Sequence, residues 1–336
     1  MACPVSSPGR MEAVEQGVGV TSRRAVLIAL GALMAPLTGA AQQARVPRLG
    51  VLSIANAETV LGLLRKELRD LGYVEGQNLL IEVRSAEGKP DSLAALAADL
   101  VRLKVDILVA LQTPAAQAAK EATNTIPIVI SAGDPVGTGL ITSLARPGGN
   151  ITGMSGTVTE LAAKNLEIIR GIRPAARRLA VLANAADPFT KLFLEQIHAA
   201  GRVLNIEIRP IMVRGPEEFD AAYAQWVKAR VDAVIVQPSL PLKRAIDLAL
   251  KHRLLSAAPN RGFAEAGGLF AYSSNVRDQY RKLAIYVDKI LKGAKPADLP
   301  MEQPTRFELV INLKTARAIG LTIPQAILIR ADEVIQ

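Results

Sequence analysis

The sequence predicts an α/β protein with two lobes, each built on a doubly wound parallel β-sheet. Three observations predict this fold class. Continuous apolar runs alternate with segments of helical apolar spacing from residue 48 onward, which is typical of parallel strands covered by helices on both faces. The alternation occurs twice, in the same order. The 336 residues are also sufficient for about two domains, at roughly 100–200 residues each.

The first half of the chain opens with the run RLGVLS, which we interpret as a buried strand. Apolar residues then recur with the spacing of one helix face. Asp91 is expected to cap the following helix, and RPGGN is expected to form a turn. The predicted strands are 48–53, 78–83, 105–111, 126–131 and a short one from 151, and the predicted helices are 59–71, 91–103, 115–122 and 137–145.

The second half repeats this order, and the runs VDILV and VDAVI stand at the same place in the two halves. A Pro-rich segment at 295–304 precedes the last strand and helix. The predicted strands are 178–184, 206–213, 231–237, 256–258, 269–272 and 307–311, and the predicted helices are 188–204, 217–229, 242–252, 280–292 and 313–319.

The N-terminal segment, residues 1–41, is predicted to be an export signal that is cleaved. The run SRRAVLIAL begins a short apolar stretch that Pro36 ends, and small residues follow up to Ala41. The stretch of about 11 residues is shorter than the roughly 20 that a membrane span needs. The order Ser-Arg-Arg resembles a twin-arginine signal, but Val26 stands where Phe is common, so twin-arginine and Sec export both stay open. Met11 is an alternative start.

The composition excludes several classes of protein. The chain has one cysteine, Cys3, and two histidines, His198 and His252. It therefore cannot form an intramolecular disulfide or a Cys-rich zinc site, and the histidines lack the spacing of a zinc protease. The net charge is +9, but the basic residues are scattered. We expect no metal, no cofactor and no nucleic-acid partner.

Polar residues follow the ends of the predicted strands. Open α/β sheets bind their ligands beyond these ends. In a protein with two such lobes, we therefore expect the ligand site in the cleft between them. Thr113 and Ser239 lie just ahead of helices, whose free N–H groups suit a ligand carboxylate, and Asp134 suits a ligand ammonium. Each also has a purely structural interpretation: helix capping for Thr113, Ser239 and Asn184, and a turn for Asp134. Arg261 is interpreted as a surface arginine.

Catalytic motifs are missing from the sequence. There is no Gly-x-Ser-x-Gly elbow and no P-loop, and the Gly-x-Gly at 137–139 lacks the third glycine of a dinucleotide site. The histidines do not stand at strand ends. We therefore expect a binding protein, with an enzyme that uses Asp134 as an alternative.

Four motifs carry a family resemblance: GYVEGQN at 72–78, LAADLV at 96–101, DPV with LARPGGNITG across 134–153, and AIGLTIP at 318–324. With them the chain resembles the ABC-transporter substrate-binding family that includes tryptophan/tyrosine-type binding proteins. The resemblance covers about residues 46–336.

This resemblance implies a type 1 periplasmic-binding fold, in which two Rossmann-like lobes are joined by a three-segment hinge. The crossings are expected near 155–158, 273–276 and 300–306. Lobe 1 would comprise 46–156 plus about 275–303, and lobe 2 would comprise 157–274 plus about 304–336.

The resemblance also implies ligand contacts from the strand ends of both lobes. Tyr272 is the one aromatic candidate among them, which favours an amino acid or a related compound over a sugar. The implied ligand-binding residues are Ser53, Thr113, Pro114, Ala115 and Asp134 in lobe 1 and Asn184, Pro238, Ser239, Tyr272 and Asn275 in lobe 2.

The predicted function is an exported, periplasmic solute receptor of an ABC importer. It would act as a monomer, close on a small ligand, and deliver it to a membrane permease with a separate ATPase subunit. A sensor that reports to a membrane receptor stays open as an alternative. A transcription regulator of the same fold would need a helix-turn-helix ahead of the lobes, where this chain has the predicted export signal.

Overall fold

A computed structural model describes residues 45–55, 58–156 and 158–336 of the chain. The predicted export signal lies outside the described residues. Within the described part, no helix is both long and apolar enough to cross a membrane, and no group of three or more metal-ligating side chains comes together.

The first sheet has five parallel strands in the order β2–β1–β3–β4–β5. Its first strand, RLGVLS, is buried at five of six positions, as a central strand covered on both faces should be. The helix after it buries Leu61, Leu64 and Leu68 against one face of the sheet. The strands are β1 (Arg48–Ser53), β2 (Leu80–Ser85), β3 (Ile107–Leu111), β4 (Ile128–Ala132) and β5 (Ile151–Ser155), and the helices between them are α1 (Glu58–Asp70), α2 (Leu93–Arg102) and α3 (Thr113–Ala122).

The second sheet has seven strands in the order β12–β11–β10–β9–β8–β6–β7. Its strands are β6 (Arg178–Asn184), β7 (Glu207–Val213), β8 (Ala233–Val236), β9 (Leu255–Ala258), β10 (Phe270–Ser274), β11 (Phe307–Asn312) and β12 (Glu333–Ile335). The remaining helices are α4 (Val158–Ile172), α5 (Thr190–Val203), α6 (Phe219–Lys228), α7 (Leu242–Lys251), α8 (Arg261–Glu265), α9 (Val276–Leu291), α10 (Leu313–Ala318) and α11 (Gln325–Leu328).

The two sheets share one topology, which confirms the predicted repetition. The order β7–β6–β8–β9–β10 repeats β2–β1–β3–β4–β5, the doubly wound order with its switch point beside the first strand of each half. The second sheet continues with β11, which runs antiparallel to β10, so this sheet is not wholly parallel. Elements β12, α8 and α11 were not predicted, because each has only three to five residues.

Three crossings join the elements that pack on the two sheets. The chain leaves the first sheet after β5, returns in α9, whose Leu283 and Val287 lie in the first sheet's core, and leaves again before β11. The crossings are hydrogen-bonded neighbours: the Ser155 N–H donates to the Glu302 carbonyl at 2.8 Å, and the Asn275 N–H donates to the Arg306 carbonyl at 2.9 Å. The lobe boundaries given above stay a prediction.

Two local predictions were wrong. Residues 137–145 form turns and bends, not a helix, because Gly139 has a φ of +72°, which a right-handed helix does not accommodate. Asp91 does not cap a helix: it lies in a 3-10 turn (Pro90–Ser92), and α2 begins only at Leu93.

Candidate ligand-binding cleft

The carboxyl ends of the two sheets meet at a cleft. Directly after β3, the side-chain Nε2 of Gln112 donates to the carbonyl of Pro238, which follows β8, at 3.0 Å. Gly133, after β4, lies against the ring of Phe189, in the segment between β6 and α5. The strand ends of both lobes therefore approach one another, as a site at the switch points of two doubly wound sheets requires.

Four of the predicted lobe 1 residues are buried where β1 ends and α3 begins. Ser53 ends β1, and its hydroxyl donates to the Ala55 carbonyl at 2.7 Å. Thr113, Pro114 and Ala115 are the first three residues of α3 and are buried. The Thr113 hydroxyl oxygen accepts the Gly133 N–H at 3.1 Å, so it fixes the loop after β4.

Asp134 stands in the turn after β4 and is half-buried. Its Oδ1 accepts the Gly137 N–H at 2.8 Å, and its main-chain oxygen accepts the Thr138 N–H at 2.9 Å. The turn interpretation of Asp134 therefore describes its geometry. Within the described residues no lysine or arginine forms an ion pair with this carboxylate.

In lobe 2, Asn184 and Ser239 belong to a buried hydrogen-bond network rather than to an open surface. Asn184 Nδ2 donates to the Ser239 hydroxyl oxygen at 3.3 Å, and Asn184 Oδ1 accepts the Ala186 N–H at 3.0 Å. The Ser239 hydroxyl donates to Asp187 Oδ2 at 2.6 Å, and Gln237 Nε2 donates to the same oxygen at 2.8 Å. The polar side-chain atoms of both predicted residues are thus hydrogen-bonded within lobe 2.

Asp187 is the centre of this network, and the sequence analysis missed it. The residue is only 6% exposed, and burial raises the pKa of its carboxyl, although the hydrogen bonds from Ser239, Phe189 and Gln237 oppose that shift. Its Oδ1 accepts the Phe189 N–H at 2.9 Å. Asp187 therefore fixes the loop that presents the Phe189 ring to Gly133 of lobe 1.

Tyr272 and Asn275 lie at the last strand end before the second crossing. The Tyr272 ring stacks on Phe307 with centroids 6.1 Å apart, and the residue is half-buried. Asn275 caps α9: its Oδ1 accepts the Asp278 N–H at 3.0 Å, and its Nδ2 donates to Glu308 at 3.1 Å. Asn275 is thus a structural cap next to the second crossing.

Arg261, which the sequence suggested to be a surface arginine, belongs to a cluster of ion pairs. Its guanidinium bridges Glu265 at 2.7 Å and Glu308 at 3.1 Å and also contacts Glu333. Because Glu308 in turn accepts from Asn275, this cluster ties β11 and β12 to the start of α9, beside two of the crossings.

The chemistry of this cleft is that of binding. The side chains at its strand ends are hydroxyls, amides and carboxylates that position loops, and neither histidine lies among them. Such a lining suits a small polar solute held between two lobes.

A family model described as ABC transporter substrate binding protein matches residues 53–335. The chain belongs to this family. The resemblance inferred from the motifs is thereby confirmed, and the chain is a substrate-binding protein rather than an enzyme. The family implies a small-molecule ligand and a membrane permease as partners.

Named relatives agree with this assignment. A tyrosine-binding protein of Clostridioides difficile (strain R20291) is 27% identical over 263 residues, which cover 76% of this chain and 75% of the relative. The ABC domain from Streptococcus pneumoniae in complex with L-Trp has a TM-score of 0.78 and 25% identity, over 86% of this chain and 99% of that one. A conserved domain protein from Vibrio cholerae O1 biovar El Tor has a TM-score of 0.80 and 26% identity, over 86% of this chain and all of that one. The predicted type 1 periplasmic-binding fold is likewise confirmed by more distant solved structures.

Proposed function

We propose that this chain is the exported receptor of an ABC importer and that its ligand is an aromatic amino acid or a close relative. It works as a monomer. The ligand enters the cleft, contacts strand ends of both lobes, and stabilises the closed arrangement by contacts that only this arrangement offers. The membrane permease then recognises the closed form, and a separate subunit supplies ATP hydrolysis.

The approach of the strand ends is the observation that carries the proposal. Gln112 and Pro238 hydrogen-bond across the cleft, and Gly133 meets Phe189, so a ligand held there touches both lobes at once. The ligand class is supported by two relatives, one named for tyrosine and one solved with L-Trp. Asp134, which has no basic partner among the described residues, suits an α-ammonium group, and the Tyr272 ring offers apolar surface to a side chain.

Ligand binding is tested by thermal unfolding and calorimetry of the purified protein with L-tryptophan, L-tyrosine and a panel of other amino acids, carboxylates and sugars. A ligand at 100 times its Kd stabilises a protein by about 2.7 kcal/mol, which raises the Tm of a chain of this size by about 4 °C. A rise with the aromatic amino acids alone supports the proposal. A rise with sugars alone contradicts the ligand class, whereas the family assignment stands.

Export is tested separately, on the full-length precursor. We propose a periplasmic location reached through the signal at residues 1–41. Replacing Arg23 and Arg24 by lysines is expected to hold the precursor in the cytoplasm if the route is twin-arginine. Normal export of the lysine variant assigns the protein to the Sec route.

A further inference from the structure

Gln112 combines a backbone conformation that glycine favours with a contact between the lobes. It has φ 73° and ψ 156°, directly after β3 and directly before α3. This region is nearly restricted to glycine, because a Cβ there meets the flanking backbone. Strain of this kind persists only where the surroundings hold it, and it concentrates at ligand clamps and switch regions.

The backbone role of Gln112 does not explain its side chain. Its N–H donates to the Ser131 carbonyl at 2.7 Å, and its carbonyl accepts the Ala116 N–H at 3.0 Å. Glycine would make both bonds without strain. The glutamine side chain therefore has a use of its own.

The amide of the Gln112 side chain makes one hydrogen bond, through its nitrogen, and its oxygen makes none. Nε2 donates to the Pro238 carbonyl in lobe 2, and because a carbonyl only accepts, this bond fixes which end of the amide is oxygen. The Oε1 atom is buried and has no hydrogen-bond partner among the described residues. A buried amide oxygen without a donor costs stability, so each such atom needs an explanation.

We propose that Gln112 is the closure latch of this receptor: Nε2 holds the lobes together through Pro238, and Oε1 accepts a hydrogen bond from the bound ligand. The proposal rests on the proposed function and adds to it. It makes Gln112 the residue that links ligand occupancy to closure, and it requires that the ligand carry an N–H or O–H donor. An ammonium or indole N–H meets that requirement, and a simple carboxylate does not.

Two substitutions separate the latch from the strain. Gln112→Gly removes the side chain and relieves the backbone. Gln112→Glu keeps the length, the backbone strain and an acceptor oxygen, but it replaces the donor to Pro238 by a second acceptor. Asn205→Gly is the matched control, because Asn205 has φ 51°, is exposed, and follows α5 away from the cleft.

The measurements are the Tm of the ligand-free protein, the Kd for L-tryptophan and L-tyrosine, and the radius of gyration from small-angle scattering. Gln112→Gly is expected to raise the Tm by about 2–4 °C yet weaken binding at least about 10-fold. Gln112→Glu is expected to weaken binding without raising the Tm. Both variants are expected to be more expanded than the wild type and Asn205→Gly.

A purely structural glutamine would change affinity and stability in the same direction. Wild-type affinity in both Gln112 variants, or an unchanged radius of gyration in Gln112→Gly, overturns the latch. If the wild type binds neither amino acid, the proposed ligand class fails, and the scattering comparison alone decides the latch. The two failures are therefore distinguishable.

Discussion

Gly133 is the position at which one added carbon atom tests closure. A Cβ built there lies 2.7 Å from Cγ of Phe189 and 2.8 Å from both Cδ atoms, well inside van der Waals contact. The backbone itself accepts alanine, since Gly133 is not among the glycines with positive φ. Gly133→Ala therefore leaves each lobe intact and obstructs only their approach.

The expected magnitude follows from that overlap. Ordinary contact needs about 3.4–4 Å, so the Phe189 ring or the whole lobe must move by up to about 1 Å. Overpacking of one methyl group costs about 1–3 kcal/mol. Because the contact exists only between the lobes, the cost falls on the closed state, and the Kd should rise by about 5- to 150-fold. The Tm of the ligand-free protein should change little.

Isothermal calorimetry with L-tryptophan or L-tyrosine measures this effect. Gly62→Ala is the control, because a Cβ at Gly62 on α1 meets nothing within 4 Å. A second change, Phe189→Leu, removes ring atoms and should restore most of the affinity lost in Gly133→Ala, as a double-mutant cycle would reveal. An unchanged Kd in Gly133→Ala, or no recovery in the double variant, refutes the lobe contact as described.

Asp134→Ala should weaken amino-acid binding by about 10-fold or more through loss of a charge-assisted bond; Asp134→Asn should weaken it equally while keeping the bond to Gly137, and calorimetric affinity equal to that of the wild type removes Asp134 from the site. Burial raises the pKa of Asp187 in the folded state, so its contribution to stability is full below the pKa of the unfolded chain and is lost as pH rises through the raised pKa. In urea unfolding, the free energy of unfolding of the wild type should therefore rise relative to that of Asp187→Asn as the pH falls. A difference between the two free energies that does not change with pH contradicts this. Gly153→Ala should prevent folding, because a Cβ there lies 2.2 Å from the Ile130 carbonyl oxygen at a φ of +133°; circular dichroism of a folded variant would contradict it.

The fold was largely predictable because its signals are local. Runs such as RLGVLS and ILVAL are buried on both faces, and each is long enough to be recognised without its neighbours. The repeated strand order follows from repetition of those runs. The region at 137–145 was mispredicted because Gly139 has a φ of +72°, which a right-handed helix does not accommodate and which the sequence alone does not reveal.

The site was less predictable because its key contacts join distant parts of the chain. Gln112 meets Pro238 126 positions later, and Asp187 meets Gln237 50 positions later. The sequence identified strand ends as the place for a ligand but could not say which polar atoms there are already used. Nothing in the amino-acid sequence indicates that Gln112 has a positive φ; only the folded backbone reveals it.

The hydrogen bonds divide the polar residues at the strand ends into two groups with different consequences for binding. Asn184, Ser239 and Asn275 use their polar side-chain atoms on partners within the fold, so substituting them would disturb loops and caps before it disturbed any ligand. Gln112 Oε1 and the Asp134 carboxylate keep unused acceptor capacity at the cleft. Because both are acceptors, the complementary solute must present donors to them, and an amino acid does so through its ammonium group. Ligand affinity should accordingly be most sensitive to these two residues.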